Sequence, residues 1–508
     1  MELNRETPIE ISHDEFKRIG YQLINVISYF IETIGEKPVT RGESPSEIQA
    51  ILGNASLPEA GISASNIFSR TTELLLNHSL LNGHPKFLGY VTSSAAPIGA
   101  LADLLAAAIN PNVGANILSP MATAIETQTI KWLAELIGLS SDYGGILVSG
   151  GNTANFSAFL TARTAKAPKN VKEKGLVNTT PKMLVYASKA THTWIEKAAI
   201  LFGHGLNAIR WIPTDGNNRM NTQLLMQTID KDLKRGKKPF MVVGNAGDVS
   251  TGAVDNLSAI AAICKSFDLW FHIDGAYGIP AAVIPQLSGL FAGIQEADSI
   301  ALDPHKWLYS PLEVGCILVK NPQHLLDTFS SHPAYYNFNN LLEEPALNYY
   351  EYGFQNSRGF RALKVWMALQ QVGKNGYIQM IGEDIELSQL LFDLAKRNPE
   401  LEAVTHNLSI TTLRYIPLGY LRDDKMDEAY LNNLNEKLLN ELQLGGEVFL
   451  SNAIVAEKYC LRGCIVNFRT SRKDIEEIVG IIVRKGREIH SRLQENKQNQ
   501  GKGSKFKV

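Results

Sequence analysis

Cysteine is scarce here: four residues in 508, at positions 264, 316, 460 and 464, with no C-x-x-C spacing. That argues against a disulfide framework and for free thiols in a reducing compartment. An excess of either charge is missing too. The 49 Lys and Arg residues nearly cancel 51 Asp and Glu, so the basic footprint of a nucleic-acid binder is absent. No apolar run is long enough to span a bilayer; the most apolar stretch, 95–109, is interrupted by Pro97, Gly99 and Asp103. Residues 1–15 are polar and contain no signal-peptide core. There is no internal repeat. The histidines never fall at H-E-x-x-H or comparable spacing, so no metal site is expected. What remains is a 44% hydrophobic chain, long enough for two or three domains and expected to be soluble and cytoplasmic.

Ser12, with Glu15 three residues on, has the capping-box pattern of a helix start. Phe16, Ile19, Leu23, Val26, Ile27, Phe30 and Ile34 then recur at helical spacing, closed by Gly35 and Pro38. Residues 41–57 read as a turn leading to further short helices. So amphipathic an N-terminal segment must bury its face somewhere, and a partner subunit offers such a place. From about residue 96 short apolar runs alternate with turns and helical stretches, at 145–148, 183–186, 208–212, 240–243, 269–273, 299–302 and 315–319. That alternation predicts an α/β domain with a mostly parallel sheet covered by helices on both faces. From about 381 a helix and shorter strands at 409–415 and 463–469 suggest a small C-terminal α+β domain. The expected division is therefore 1–95, 96–380 and 381–494, with 495–508 a disordered tail.

Two strand ends carry the chemistry. Asp303-Pro304-His305-Lys306-Trp307 follows the apolar segment 299–302. A lysine attacks an aldehyde only as the neutral amine, a form that burial among apolar groups favours. Upstream, the run Leu269-Trp270-Phe271-His272-Ile273 ends in Asp274-Gly275-Ala276-Tyr277. A buried lysine and a buried carboxylate at strand ends are what a pyridoxal phosphate enzyme needs. The lysine holds the aldehyde as a Schiff base, and the carboxylate keeps the pyridinium nitrogen protonated. In parallel sheets, ligands bind beyond such carboxyl ends. Ser149-Gly150-Gly151-Asn152-Thr153 closes a strand and opens a helix, where glycines permit close approach and the helix N-terminus attracts a phosphate. His192, after the 183–186 strand, offers a ring to stack on the cofactor, and Ala276 is small enough to lie against the other face.

Taken together, these motifs resemble the group II pyridoxal-phosphate-dependent amino-acid decarboxylases of the aromatic-L-amino-acid decarboxylase type. The likeness runs nearly full length. It includes His84-Pro85-Lys86-Phe87-Leu88-Gly89-Tyr90, Ser119-Pro120 with Ile125-Glu126, the segments above, and Ser357-Arg358-Gly359-Phe360-Arg361. The resemblance implies fold type I, the aspartate-aminotransferase-like architecture, and a homodimer with active sites at the interface. It implies that Lys306 forms the linkage to the cofactor, Asp274 pairs with the pyridinium and His192 stacks on the ring. Gly150, Gly151, Asn152 and Asp303 would surround the phosphate, His305 would lie beside the Schiff base, and Ser93 near the substrate. Tyr335, in Pro333-Ala334-Tyr335, matches the tyrosine that reprotonates Cα; relatives with phenylalanine there tend to be aldehyde synthases.

Departures bear on the substrate. Asp248 stands where the family often has Thr or Ser. The positions aligned with the pocket, Val91, Gly114 and Asn116, imply a wider, more polar cavity, and Ser357 disfavours an indole. The expected reaction is decarboxylation of an L-amino acid, aromatic by resemblance, to its amine and carbon dioxide. The alternatives are an acidic or histidine-like substrate, a fold-type-I lyase or aldehyde synthase, and a catalytically silent dimeric paralogue.

Overall fold

The computed structural model describes residues 7–168, 171–176, 181–331, 346–418 and 427–503. Its centre is a seven-stranded sheet built from the apolar runs. The strands are β1 (Gly144–Val148), β2 (Met183–Ser188), β3 (Ile209–Ile212), β4 (Lys238–Asn245), β5 (Trp270–Asp274), β6 (Ser299–Leu302) and β7 (Gly315–Val319). Their order is β1-β7-β6-β5-β4-β2-β3. Only β7 runs against the others, pairing antiparallel with both β1 and β6. Nearly every residue of β1, β2, β4, β5, β6 and β7 is buried, because helices cover both faces of a parallel sheet. The helix Gly151–Lys166 packs across the middle of it.

A second sheet, antiparallel throughout, has the order β10-β11-β9-β8. It comprises β8 (Leu401–Asn407), β9 (Ile410–Tyr415), β10 (Ser451–Val455) and β11 (Lys458–Cys464). The sequence placed this last strand at 463–469; it lies earlier, because Lys458–Cys464 pairs with both β10 and β9 and the chain leaves the ladder after Cys464. The helix Ala362–Arg397 joins the two sheets, crossing residue 381, with non-helical backbone at Gly373 (φ 64°). The final helix, Arg472–Gly503, enters the segment expected to be a disordered tail. Glu495, Lys497 and Gln498 have good helix propensity, so the backbone continues past the last apolar anchor.

At the N-terminus, helices His13–Thr33, Pro45–Leu52 and Ala64–His78 begin at Ser12, Ser44 and Ser63, whose hydroxyls accept amides of the first turn. They bury almost nothing. Ile19 is their one buried residue, while Phe16, Tyr21, Tyr29, Ile67 and Leu75 are exposed. Beyond these helices, Phe87 stacked on Phe449 fastens the chain to the small domain. All four cysteines are free and buried, and burial pushes Cys460 and Cys464 up to about 11.

One buried ion pair ties the chain near 112 and the chain near 358 to β1. Arg358 Nη2 lies 2.5 Å from Glu126 Oε1 with neither side chain exposed, and Arg358 also donates to the carbonyls of Val113 and Leu147. The Leu147 amide donates to the same Glu126 oxygen. Replacing Arg358 by Met strands a buried carboxylate, which costs about 3–5 kcal/mol. A melting temperature many degrees lower is expected by calorimetry; an unchanged one would mean the pair carries no net stability.

Candidate active site

Six strands end on the same side of the sheet, and the turns after five of them, β1, β2, β4, β5 and β6, wall a cavity of ≈ 560 Å³. Register sets the geometry: Asp274 at the end of β5 is level with Ala301 of β6, and Asn245 of β4 is level with Asp274. Asp303 and Lys306 follow β6 by one short turn, closed by the Lys306 amide donating to the Asp303 carbonyl at 2.9 Å. Gly150, Gly151, Asn152, His192, Asp274, Ala276, Asp303, His305 and Lys306, all predicted from sequence, line this one cavity. Tyr335 lies outside the described residues.

The carboxylate of Asp274 is held from two sides. The buried Trp194 indole donates to Oδ2 at 2.7 Å, and the Ala276 amide to Oδ1 at 3.3 Å. Behind it, fully buried His272 has Nε2 2.7 Å from Asn155 Oδ1 and Nδ1 2.9 Å from Ser299 Oγ. Burial lowers this imidazole to about 4, so the ring is neutral and each of its nitrogens has a buried polar partner. Trp194 meets the ring edge-on at 5.8 Å. Trp194, Asn155 and His272 fall inside the sequence motifs, but no role could be read for them there, because their partners lie far away along the chain.

Lys306 differs from expectation in its surroundings. Trp307, Leu308 and Tyr309 are buried, yet the amine itself is half-buried and lies 3.0 Å from Asp303 Oδ2. Asp303 is 1% exposed, and its Oδ1 has no hydrogen-bond partner. His305 accepts the Val314 amide on Nδ1 at 3.1 Å, which directs its Nε2–H toward Asp303 Oδ2 at 3.8 Å. Desolvation lowers His305, against the pull of Asp303, and it likewise lowers His192, opposed by Asp274. Both rings are therefore neutral at pH 7.

Ser93 does not line the cavity; its buried hydroxyl donates to the His305 carbonyl at 2.9 Å. Val91 does line it. Gly114 instead packs against the Asn356 carbonyl, the Asn116 amide donates to Asn348, and Ser357 is exposed elsewhere; none of the three reaches the walls this chain forms. Asp248 turns its charge into its own loop. Oδ1 accepts the amides of Ser250 and Thr251 at 2.8 and 2.9 Å, and Oδ2 accepts the Ala253 amide and the Thr251 hydroxyl.

These residues fit pyridoxal phosphate. The helix opened by Gly150 has no side-chain cap, so its first-turn amides are available to a phosphate. A Cβ at Gly151 would come within 2.5 Å of Asp303 Oδ2 and 3.3 Å of Ala276 Cβ, so glycine keeps the cradle open. Lys306 supplies an amine, Asp274 an anchored carboxylate and His192 a flat neutral ring.

A family model described as "Pyridoxal-dependent decarboxylase conserved domain" matches residues 45–414. Aromatic-L-amino-acid decarboxylase of Bacillus atrophaeus is 34% identical over 93% of this chain and 95% of its own length. Phenylacetaldehyde synthase of a Rosa hybrid cultivar is 27% identical over 92% and 93%. The fold matches the crystal structure of Oryza sativa TDC with PLP and tryptamine at a TM-score of 0.87, 22% identity, and 96% and 100% coverage.

Gly151→Ala should weaken pyridoxal phosphate binding at least about tenfold, the equivalent of ~1.4 kcal/mol. Absorbance titration of the cofactor-free protein checks this; a dissociation constant within twofold of wild type would show that the cradle tolerates a methyl group.

Proposed function

The chain belongs to the pyridoxal-dependent decarboxylase family, and from that premise we propose that it converts an aromatic L-amino acid to the corresponding amine and carbon dioxide. It is a pyridoxal-phosphate-dependent carboxy-lyase of fold type I. One observation carries the reading of the site: Lys306, Asp274 and the uncapped helix at Gly151 converge on one cavity. Support for an aromatic substrate comes from the full-length likeness to the Bacillus atrophaeus enzyme and from Tyr90, Val91 and Leu312 at the cavity wall.

When bound, pyridoxal phosphate supplies an electron sink for the charge that develops at Cα as carbon dioxide leaves. The protein's part is binding, orientation and proton placement. In this reading Lys306 Nζ is the amine that holds the cofactor's aldehyde carbon, and the first-turn amides at Gly151 and Asn152 bind its phosphate. Asp274 would hold a proton on the ring nitrogen, with its carboxylate oriented by Trp194 and the Ala276 amide. His192 and Ala276, both on the cavity wall, would hold the ring. Ser93 acts through the backbone of His305, which its hydroxyl braces. Tyr335 is assigned the return of a proton to Cα on the family resemblance alone.

We place the active unit in a homodimer. Exposed Phe16, Tyr21, Tyr29, Ile67 and Leu75 on helices that bury almost nothing support a partner covering them. The free cysteines support a reducing, cytoplasmic setting. Light scattering should return close to twice the 56.0 kDa of one chain; the mass of a single chain would remove the dimer.

Amine release from a panel of L-amino acids tests the activity. Turnover of an aromatic acid is expected with the loaded protein, and none above background with Lys306→Ala, which also loses the borohydride-reducible visible band. Turnover of an acidic amino acid alone would overturn the substrate class. Aldehyde with peroxide in place of amine would overturn the decarboxylase assignment and the role given to Tyr335.

A further inference from the structure

The turn beyond Lys306 is held by a buried group that the chemistry above leaves unused. Tyr309 sits at φ 55°, a left-handed conformation that a bulky residue keeps only when its surroundings enforce it. Its amide reaches the Lys306 carbonyl at 3.3 Å, and the Ser310 amide reaches the Pro304 carbonyl at 3.1 Å. The stronger hold comes from Asp384, on the helix Ala362–Arg397. One of its oxygens, Oδ2, accepts both the Trp307 indole N–H at 2.8 Å and the Tyr309 hydroxyl at 2.6 Å. Asp384 is 2% exposed.

The same anchor reaches the other half of the site. Trp307 stacks on Tyr277 with ring centroids 5.1 Å apart and 12° between planes. Tyr277 belongs to the turn that begins at Asp274, and its hydroxyl is fixed by Ser409 Oγ at 2.6 Å. A chain of contacts, Asp384 to Trp307 to Tyr277, therefore joins the turn bearing the lysine to the turn bearing the carboxylate.

We propose that Asp384 is a positioning residue, which through Trp307 and Tyr309 sets where Lys306 presents its amine relative to Asp274. This rests on Lys306 being the cofactor's attachment point, as proposed above. Burial pushes the Asp384 carboxyl up to about 7, opposed by the bonds from Tyr309 and Trp307. The titratable groups around it are Tyr277, Tyr309, Tyr377, Cys464 and Glu383. Burial raises the three tyrosines and the cysteine, which are therefore uncharged at pH 7, and the Trp307 and Tyr309 donors bond the Asp384 carboxyl directly.

Pyridoxal phosphate-loaded wild type, Asp384→Asn and Tyr309→Phe would be titrated with pH while the visible band is followed. Both variants keep side-chain volume. In each, the midpoint of the band should move by about half a unit or more, because the lysine's distance to its neighbouring charges changes. In turnover, kcat should fall about tenfold with KM held within about twofold, as expected when reacting groups are misplaced and binding is intact. Variants with the wild-type midpoint and kcat, even with a lower melting temperature, overturn the proposal and leave Asp384 a stabilising residue only. A wild type without the band overturns the assignment of Lys306, and the proposal falls with it. Should Asp384→Asn not fold, Tyr309→Phe alone decides.

Discussion

The parallel register of β5 against β6 is the constraint on which the rest of this molecule depends. Adjacent strands lie about 4.8 Å apart, and the pairing of Asp274 with Ala301 fixes where each chain leaves the sheet. From there one turn ends in a carboxylate and the other in an amine. Because the neighbouring parallel strands emerge on the same side, the glycine turn after β1 and the histidine loop after β2 face the same space. A slip of one residue would send these side chains to the opposite face. The cavity is thus a property of strand pairing before it is a property of any loop.

Holding charged groups in that space takes polar support from outside it. Asp274 is anchored by Trp194, and the wall behind is knit by Asn155, His272 and Ser299. Lys306 is met by Asp303 rather than by Asp274, so the two groups with opposite charge are kept to separate duties. Asp248 could have crowded the site with another negative charge; its own loop amides absorb it. Further out, the Glu126–Arg358 pair closes the wall beside β1 at a point where neither group meets water.

Much of this was legible in the sequence, and the division has a physical basis. Apolar runs and turn residues report local backbone geometry, so the seven strands of the large sheet could be placed within two residues at each end. Gly150 and Gly151 were legible because only glycine suits that turn, and Lys306 because a lysine after a buried strand needs a reason. Unreadable were the partners. Nothing near Asp384 announces that it will meet Trp307, and nothing near Asn155 announces His272. The strand Lys458–Cys464 was displaced because alternation in a half-exposed segment leaves register to its neighbours. Ser93 was expected near the substrate, and its hydroxyl donates instead to the carbonyl of His305, because a motif gives position along the chain but not the direction of a hydroxyl.

The four cysteines give the chain a built-in reporter. With Cys460 and Cys464 raised to about 11, their thiolate fraction at pH 7 is on the order of 10⁻⁴, and the buried sulfurs are shielded by packing as well. Two sit in the large sheet or its covering helix and two in a strand of the small domain. An alkylating reagent therefore meets a sulfur only when one region or the other opens. The order in which the native thiols become modified would time the breathing of each domain separately, with no label introduced.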